Sequence, residues 1–484
     1  MKAKIKGDYV YFSGYTSDEA NWLKRKLTWT DKYKKFDNET NLIFVKNEQL
    51  CTLSGLLEPL RTLAPFNLEV EANTVTYTRV AVPNDILENI TLFDFQVAAV
   101  SKALTLKRGI IQSSVGSGKG EMQLAMSKFL LKKGKTGIVI VPSVALADQL
   151  KARSLLRGFT EDQVGVFHGK KKESTKPLVI AVANSVYKST NKVLLDRNFL
   201  LIDEAQHSSC DTWLDIYQKI PAEYKVGFSG SPFHEKDDVF KRPEDALTCG
   251  ITGGVIFKVG YDYLKKLGLI SDLYVLFVKL PGQMSTSKKH FSKIYDEWIV
   301  NNEIRNRKII GCINKFKKYN FPVLTLVQRK KHGNDLLLKL KDEKALCVFG
   351  NEKSVQYDEY GCLQDINITY NEFKEKYESG HFQTAIATQV FDEGVDIPNI
   401  GALVQGGAGR SQIKITQRSG RSIRAKKGVN RAYLIDFIDR GHVYLHAQYK
   451  RRKIIYEEMG ATIFYDEAEF YNHVFDHAME LNNV

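Results

Sequence analysis

Short apolar runs alternate with helical stretches through most of the chain, and this alternation is its first structural signal. Between residues 91 and 261 the runs are Gly109–Gln112, Thr136–Val141, Leu178–Ala183, Phe199–Ile202 and Tyr224–Phe228. Continuous apolar runs between helices are typical of parallel strands buried on both faces. The same alternation of apolar runs and helical stretches returns from about residue 263, with runs at Val323–Val327, Leu346–Phe349, Thr384–Ala387, Ala402–Gln405 and Ala432–Asp436. The pattern predicts two α/β domains, each built on a parallel sheet.

The first 90 residues follow a different pattern. Tyr9–Phe12 and Leu42–Val45 are predicted strands, and the polar residues Ser17–Glu19 are typical of a helix start. The spacing of leucines within Leu53–Leu63 predicts a second helix. This stretch is therefore expected to form a small α+β module.

Three domains follow from these patterns. We expect an N-terminal accessory module over residues 1–88, a first α/β domain over 89–262 and a second over 263–484. The second domain is predicted to end in a helix over Val443–Met459, followed by a short acidic segment.

Composition narrows the functional classes. A chain of 484 residues is too long for one ordinary core, and 43% apolar with 26% charged residues is typical of a globular protein. The net charge of +14 favours a polyanionic partner. The six cysteines form no C-x-x-C pair, which argues against a zinc knuckle or a disulfide framework. No apolar run approaches the roughly 20 residues of a membrane span, so we expect a cytoplasmic protein without membrane contact.

A glycine-rich turn lies between the predicted strand Gly109–Gln112 and a helix predicted over Glu121–Leu131. Glycines let backbone N–H groups turn inward around phosphates at a helix N-terminus, where the helix dipole favours anions. Lys119 is expected to reach the β- and γ-phosphates of ATP. The expected nucleotide-lining residues are Ser114, Val115, Gly116, Ser117, Gly118, Lys119, Gly120 and Glu121.

Two adjacent carboxylates follow the predicted strand Phe199–Ile202. Because side chains alternate along a strand, its end can aim one carboxylate at a metal and place the other near an attacking water. We expect Asp203 to hold Mg²⁺ and Glu204 to polarise the water.

Gly120 departs from the usual phosphate-loop pattern. A Ser or Thr normally follows the lysine and ligates magnesium. With glycine the hydroxyl ligand is missing, so a water would replace it and Asp203 would be the main protein anchor. Glu121 is the weaker substitute, since a helix residue there need not face the metal. We expect hydrolysis to be retained, and lost hydrolysis is the alternative that Gly120 leaves open.

The order of these motifs resembles that of the superfamily 2 helicases of the D-E-x-H type, over about residues 91–460. The resemblance implies that Phe93 and Gln96 read the adenine base. It places Phe228–Pro232 where the family has a segment that couples the ATP site to nucleic acid. The first-domain residues that it assigns to the nucleic-acid backbone are Pro142, Ser143, Asn184 and Ser185.

The second domain carries the family's later motifs. Ile386–Pro398 resembles the fifth motif, and Gln417–Arg424 matches the sixth, Q-x-x-G-R-x-x-R. The resemblance implies that Gly394 and Asp396 lie near the ATP ribose. It implies that Gln417, Arg421 and Arg424 are catalytic, with both arginines reaching the γ-phosphate. The nucleic-acid contacts that it implies here are Gln328, Arg329, Thr388 and Gln389.

The resemblance implies a P-loop NTPase with two tandem RecA-like domains, which uses ATP and Mg²⁺ to move along DNA. The motif spellings and the N-terminal module are similar to the UvsW-type bacteriophage helicases. That similarity implies unwinding or branch migration of forks, junctions and R-loops in recombination, repair or replication. The expected partners are branched or partly single-stranded DNA and RNA–DNA hybrids, with the protein a monomer, in the host cytoplasm if it is of bacteriophage origin.

Several alternatives stay open at this point. The chain could be a duplex DNA translocase that separates no strands, an RNA helicase, or a nucleic-acid-binding protein with an inactive ATPase. Within residues 1–88, Trp22, Trp29 and neighbouring lysines either contact DNA or serve as core and solvated surface.

Overall fold

The chain folds into two compact units, Met1–Val259 and Gly260–Val484, in a computed structural model. The structure describes residues 1–30, 39–71, 78–114, 116–208, 211–234, 238–282, 284–287, 290–349, 353–358, 360–368, 370–388, 401–408 and 431–482. Within these ranges, none of the helices combines the length and apolar character that crossing a bilayer requires.

Unit 1 contains an N-terminal sheet and a larger parallel sheet. Its described strands are β1 (Lys2–Lys6), β2 (Tyr9–Ser13), β3 (Thr28–Thr30), β4 (Glu39–Asn41), β5 (Ile43–Lys46), β6 (Gln49–Leu53), β7 (Glu69–Val70), β8 (Arg108–Ser113), β9 (Gly137–Val141), β10 (Val164–His168), β11 (Lys171–Lys172), β12 (Leu178–Val182), β13 (Phe199–Asp203), β14 (Tyr224–Ser229) and β15 (Val255–Val259). Its described helices are α1 (Ser17–Lys26), α2 (Leu57–Leu63), α3 (Asp94–Leu106), α4 (Lys119–Lys132), α5 (Val144–Leu156), α6 (Ala183–Tyr187), α7 (Lys192–Leu195), α8 (Asp211–Lys219) and α9 (Pro243–Thr252).

The larger sheet of unit 1 has the order β11-β10-β12-β9-β13-β14-β8-β15. From β10 to β15 all neighbours run parallel, and β11 pairs with β10 in the antiparallel sense. The strands are apolar runs whose side chains are buried on both faces, as in Ile138, Val139 and Ile140 of β9. Since the strands are parallel, their carboxyl ends all lie at one edge of the sheet.

The N-terminal module has the sheet order β5-β6-β2-β1-β7 and packs on the larger sheet of the same unit. Its residues Leu53 and Leu56 belong to the same buried cluster as Ile138. The approach is close, because a Cβ atom on Gly55 would lie 2.2 Å from the backbone oxygen of Cys249. The module therefore shares its core with the parallel-sheet domain.

A buried ion pair reinforces this contact. Asp8 accepts hydrogen bonds from Arg108 Nη2 at 2.8 Å and from Lys225 Nζ at 2.7 Å. The Lys225 side chain is fully buried. Burial lowers the pKa of Lys225 from its ordinary value to about 8, although the charge of Asp8 acts in the opposite direction. The lysine is thus held at a desolvated position by its carboxylate partner.

The N-terminal tryptophans take part in packing. Trp22 lies edge-on to Phe66, with ring centroids 5.3 Å apart, and Trp29 donates its indole N–H to the Phe240 backbone oxygen at 2.8 Å. The start of α1 differs by one residue from the sequence expectation. Thr16 is the N-cap, and its side chain accepts from Glu19 N while the Glu19 carboxylate accepts from Thr16 N.

Unit 2 is built on one mixed sheet with the order β20-β19-β18-β21-β17-β22-β23-β16-β24. Its described strands are β16 (Asp272–Lys279), β17 (Val323–Leu326), β18 (Ala345–Val348), β19 (Ser354–Tyr357), β20 (Leu363–Ile366), β21 (Thr384–Ala387), β22 (Ala402–Gln405), β23 (Arg431–Ile438) and β24 (Thr462–Phe464). Its described helices are α10 (Tyr261–Lys266), α11 (Phe291–Tyr295), α12 (Glu303–Lys318), α13 (Lys330–Leu340), α14 (Tyr370–Glu378), α15 (Val443–Glu458) and α16 (Glu467–Asn482). All pairs from β18 to β24 are parallel.

The two parallel sheets and the N-terminal module confirm the predicted fold class of tandem RecA-like domains preceded by a small α+β module. The acidic segment expected after the C-terminal helix is instead β24 and helix α16. One face of α16 is buried through Phe470, Tyr471 and Val474, because apolar residues three and four positions apart share a helix face.

A buried charge network lies at the carboxyl end of β23. Arg452 of α15 donates to Asp436 at 2.8 Å and to Asp439 at 3.0 Å, and all three side chains are almost completely buried. Arg305 of α12 also pairs with Asp439 and donates to the Gly406 backbone oxygen at 3.1 Å. Removing one partner from such a network leaves a charge without compensation in a dry interior.

We therefore expect Arg452→Met to destabilise unit 2 by about 3–5 kcal/mol. The measurement is urea unfolding followed by hydrogen exchange of peptides from β23. The matched control is Lys453→Met on the same helix, which removes a partly exposed pair with Glu457 and should cost less than about 1 kcal/mol. Equal effects of the two variants would contradict the assigned role of the network.

Candidate ATP site and nucleic-acid track

The phosphate loop connects β8 to α4. Gly116 and Gly118 have φ angles of +87° and +77°, in the left-handed region that favours glycine. Lys119 is the first residue of α4, and its buried Nζ lies 3.4 Å from the Ser113 backbone oxygen. The loop thus presents a lysine and a helix N-terminus together, which is a favourable arrangement for an anion.

The Gln96 side chain connects helix α3 to this loop through hydrogen bonds. Its Oε1 accepts from Phe93 N at 3.0 Å, and its Nε2 donates to the Ser117 backbone oxygen at 2.9 Å. A Cβ atom on Gly118 would lie only 2.4 Å from Gln96 Nε2. Phe93 is 42% exposed and stacks on Phe95 with ring centroids 5.8 Å apart. The two residues expected at the adenine base therefore lie next to the loop.

Two buried hydroxyls in the loop have no hydrogen-bond partner among the described residues, Ser113 Oγ and Ser117 Oγ. A buried hydroxyl without a partner costs about 1–3 kcal/mol. Phosphate oxygens of a nucleotide would accept from these hydroxyls. The loop therefore fits the ligand that its sequence predicts.

The acid pair ends β13, which lies between β9 and β14. Asp203 Oδ1 accepts from Gln123 Nε2 at 2.8 Å. Glu204 has a φ angle of +50° and accepts from Gln206 Nε2 through Oε2 at 2.7 Å. A non-glycine residue with such a φ costs about 1–3 kcal/mol and is held by its surroundings. The strain at Glu204 coincides with the position expected to polarise water.

The acid segment is joined to the segment after β14 through side chains. Ser229 Oγ donates to Gln206 Oε1, and Ser231 N donates to Ser229 Oγ at 3.1 Å. A continuous chain of hydrogen bonds thus runs from Glu204 to the Ser-Gly-Ser-Pro segment. Sequence reasoning identified both ends of this chain and the place of Gln206 in the acid motif, but not Gln206 as the connecting residue.

The first turn of α4 contains Gly120 and Glu121. A Cβ atom on Gly120 would lie 3.0 Å from Arg153 Nη1 on α5. The Glu121 carboxylate accepts two hydrogen bonds of 3.1 Å from Arg157. Glu121 therefore already has a charged partner at the C-terminal cap of α5, and Gly120 faces the same helix.

Among the described residues, no group of three or more His, Cys, Asp or Glu side chains could hold a metal alone. Magnesium in nucleotide sites is usually held by one or two carboxylates together with substrate phosphates and water. Asp203, at the same sheet edge as the phosphate loop, fits that arrangement.

The expected nucleic-acid residues of unit 1 come together on neighbouring strands. Val141 of β9 pairs with Val182 of β12, so Ser143 and Asn184 each follow the paired position by two residues. Ser143 caps α5 by accepting from Leu146 N at 3.4 Å, and Asn184 is exposed at the start of α6. Pro142 precedes Ser143 between β9 and α5, and Ser185 follows Asn184 within α6.

A basic hairpin that sequence reasoning did not single out adjoins these two strand ends. It connects β10 to β11, next to β12, and exposes Lys170, Lys171 and Lys172. Lys171 Nζ lies 2.8 Å from Asp148 Oδ1. Burial opposes ionisation of Asp148, but Lys171 and His168 outweigh it and lower the pKa of that carboxyl.

In unit 2, Gln328 and Thr388 follow the paired strands β17 and β21, where Leu326 pairs with Ala387. Arg329 is the N-cap residue of α13, and its Nη2 donates to Ser292 Oγ at 2.8 Å. The remaining expected site residues lie outside the described residues: Val115, Gln389, Gly394, Asp396, Gln417, Arg421 and Arg424.

Two family models match the chain. Residues 89–234 match the type III restriction enzyme res subunit, and residues 306–426 match the helicase conserved C-terminal domain. These ranges contain the phosphate loop, the acid pair and the fifth and sixth motifs in the order that the sequence predicted. The chain belongs to the superfamily 2 helicases. The resemblance inferred from the motifs is thereby confirmed, and the chain is an ATP-dependent helicase enzyme.

Relatives of this helicase include viral and archaeal proteins. It is 23% identical to a protein of Sulfolobus islandicus filamentous virus (isolate Iceland/Hveragerdi) whose name provisionally assigns it as helicase 22, over 96% of this chain and 84% of the relative. It is also 23% identical to the DNA 3'-5' translocase XPB2 of Sulfurisphaera tokodaii, over 84% of this chain and 95% of the relative.

Solved structures share the helicase fold. Dbp5 of S. cerevisiae, bound to RNA and ADP BeF3, is 15% identical with a TM-score of 0.53, over 81% of this chain and 94% of that chain. UvsW of bacteriophage T4 is 16% identical with a TM-score of 0.43, over 96% of this chain and 98% of that chain. The likeness to Dbp5 supports the assignment of the fold.

Gly118→Ala should weaken nucleotide binding by at least about 10-fold, because the left-handed backbone costs about 1–2 kcal/mol and the methyl group would overlap Gln96 Nε2. Binding is measured with a fluorescent ADP analogue. Gly134→Ala is the matched control, since Gly134 has a φ of +72° and open space around a Cβ. If both variants bind nucleotide equally, the contact with Gln96 does not shape the loop.

Proposed function

We propose that this helicase acts as a monomer in the cytoplasm and uses ATP hydrolysis to unwind or branch-migrate branched DNA. The observation that carries the proposal is one sheet edge in unit 1. At this edge the phosphate loop contains two buried hydroxyls that have no hydrogen-bond partner among the described residues. The acid pair lies at the same edge, and hydrogen bonds link it to the Ser-Gly-Ser-Pro segment.

In the proposed site Lys119 neutralises the terminal phosphates, and Gln96 holds the loop around them. Asp203 would hold magnesium, which supplies positive charge to the phosphates when bound. Glu204 orients and polarises the attacking water. Arg421 and Arg424 would neutralise charge on the transferring phosphoryl, with Gln417 beside them and with Gly394 and Asp396 near the ribose, as the motif resemblance implies.

The hydrogen-bond chain from Glu204 through Gln206 to Ser229 supports coupling between hydrolysis and movement. A change at the γ-phosphate displaces Glu204, and the displacement passes to Ser229 through two side-chain hydrogen bonds and to Ser231 through a third, which its backbone N–H donates to Ser229 Oγ. Coupling between sites requires such a connected element with two arrangements.

The proposed nucleic-acid track of unit 1 starts at Ser143 and Asn184. The exposed lysines of the β10–β11 hairpin extend it along the same sheet edge. Backbone amides, hydroxyls and lysines are the groups that grip phosphates without reading sequence. In unit 2, Gln328, Arg329, Thr388 and Gln389 are the proposed counterparts.

DNA is favoured over RNA by the motif spelling and by the name of the archaeal relative, a DNA translocase. The N-terminal module supplies a further basic surface. Lys2, Lys4 and Lys6 are exposed at alternate positions of β1, so they share one sheet face. Such a face next to the motor domain would hold the second arm of a branched substrate.

Lys119→Ala should reduce DNA-stimulated ATP hydrolysis by at least about 100-fold, since it removes a preorganised charge at the phosphates. Hydrolysis is measured with and without forked DNA, and Lys132→Ala at the exposed end of the same helix is the control. An ATPase rate of the wild type that is indifferent to DNA and RNA would contradict the proposal.

Replacing Lys2, Lys4 and Lys6 together by Ala should weaken binding to four-way junctions. The slope of a plot of log Kd against log salt concentration should fall by about 1 for each of these lysines that contacts a phosphate. Basal ATPase activity should not change. The control with the same charge loss replaces Lys102, Lys132 and Lys133, which are exposed on α3 and at the C-terminal end of α4.

The substrates for this comparison are a fork, a four-way junction, a linear duplex and an RNA–DNA hybrid. Strand separation with ATP, but not with a non-hydrolysable analogue, distinguishes a helicase from a translocase that leaves the duplex paired. If both lysine triples affect all substrates alike, the N-terminal face has no docking role.

A further inference from the structure

Gln123 connects the phosphate-loop helix to the acid strand. It lies four residues after Lys119 on α4, so both side chains project from the same helix face. Its side chain is buried, and its Nε2 donates to Asp203 Oδ1 at 2.8 Å. A carboxylate accepts hydrogen bonds and does not donate them when ionised, so the amide nitrogen must be the atom that faces Asp203.

The other residues of the first turn point elsewhere. The groups nearest to a Cβ on Gly120 are Arg153 Nη1 at 3.0 Å and Leu150 Cδ1 at 3.7 Å. The Glu121 carboxylate is bound by Arg157. Gln123, one turn further along the helix, has a side chain long enough to reach the strand and donates to Asp203.

A neutral amide is suited to this place. It fixes the orientation of the carboxylate and adds no charge of its own that would neutralise it. Groups that orient a metal-binding carboxylate typically contribute 10- to 100-fold in metal affinity. An Arg or Lys at the same position would compete with the cation for the carboxylate charge.

We propose that Gln123 is a positioning residue, which holds Asp203 for the magnesium that arrives with ATP and so offsets the missing hydroxyl at Gly120. This inference rests on the proposed ATP site. It goes beyond the motif, because it assigns the metal affinity of this helicase to a residue outside it.

The test is Gln123→Met, which keeps the volume of the buried side chain and removes the donor. The dissociation constant of a fluorescent ADP analogue is measured with excess magnesium and with a chelator. We expect the affinity without magnesium to change less than about twofold, and the gain on adding magnesium to fall by about 10- to 100-fold. The magnesium concentration for half-maximal ATPase activity should rise by a similar factor.

The matched control is Ser127→Ala, which removes another buried polar group of α4, whose Oγ donates to the Gln123 backbone oxygen at 2.8 Å. It should leave the magnesium dependence unchanged.

An unchanged magnesium gain in Gln123→Met would overturn the inference. Equal weakening with and without magnesium would also overturn it, because that result indicates general damage to the loop. Failure of the proposed function is distinguishable, since it would show as a wild-type ATPase that DNA does not stimulate, whatever the variants bind.

Discussion

Parallel pairing of β13, β14 and β8 is the constraint on which the candidate site depends. Asp203 pairs with Phe228, and Ser229 pairs with Gln112, the residue before Ser113. These positions are far apart in the chain, but the pairing brings the acid pair, the Ser-Gly-Ser-Pro segment and the phosphate loop to one edge. A shift of register by one residue would turn every side chain of a strand to the opposite face and separate these groups.

The sheet strands could be predicted from the sequence because their signal is local. An unbroken apolar run such as Leu178–Val182 indicates a strand buried on both faces wherever it occurs. Helix α16 was missed although Phe470 and Val474 have the four-residue spacing of a helix face, because its first turn is acidic and the burial of these residues becomes evident only in the packed unit. Strand β1 was missed for a similar reason, since lysines occupy one of its faces.

Some residues of the candidate site could likewise be predicted from local sequence, and others could not. The glycines, Lys119 and the acid pair form local patterns whose chemistry follows from residue type and order. Gln123 and Arg157 have no such pattern, because each acts through a partner brought near by folding, and Gln123 and Asp203 are 80 positions apart. Trp29 shows the same limit, since its hydrogen bond to Phe240 spans 211 positions and no local feature distinguishes it from a DNA contact.

The first turn of α4 also explains how Glu121 is tolerated beside a phosphate site. A carboxylate there would repel the nucleotide and oppose Lys119 if it were left uncompensated. Arg157 binds it through two hydrogen bonds, and Arg153 approaches it at 4.0 Å in the space that Gly120 leaves open. A larger residue at position 120 would crowd Arg153, so the glycine, Arg153 of α5 and Arg157 at its C-terminal cap belong together. The negative charge is thus balanced on the α5 side of the helix, while Lys119 and Gln123 act on the side of the acid strand.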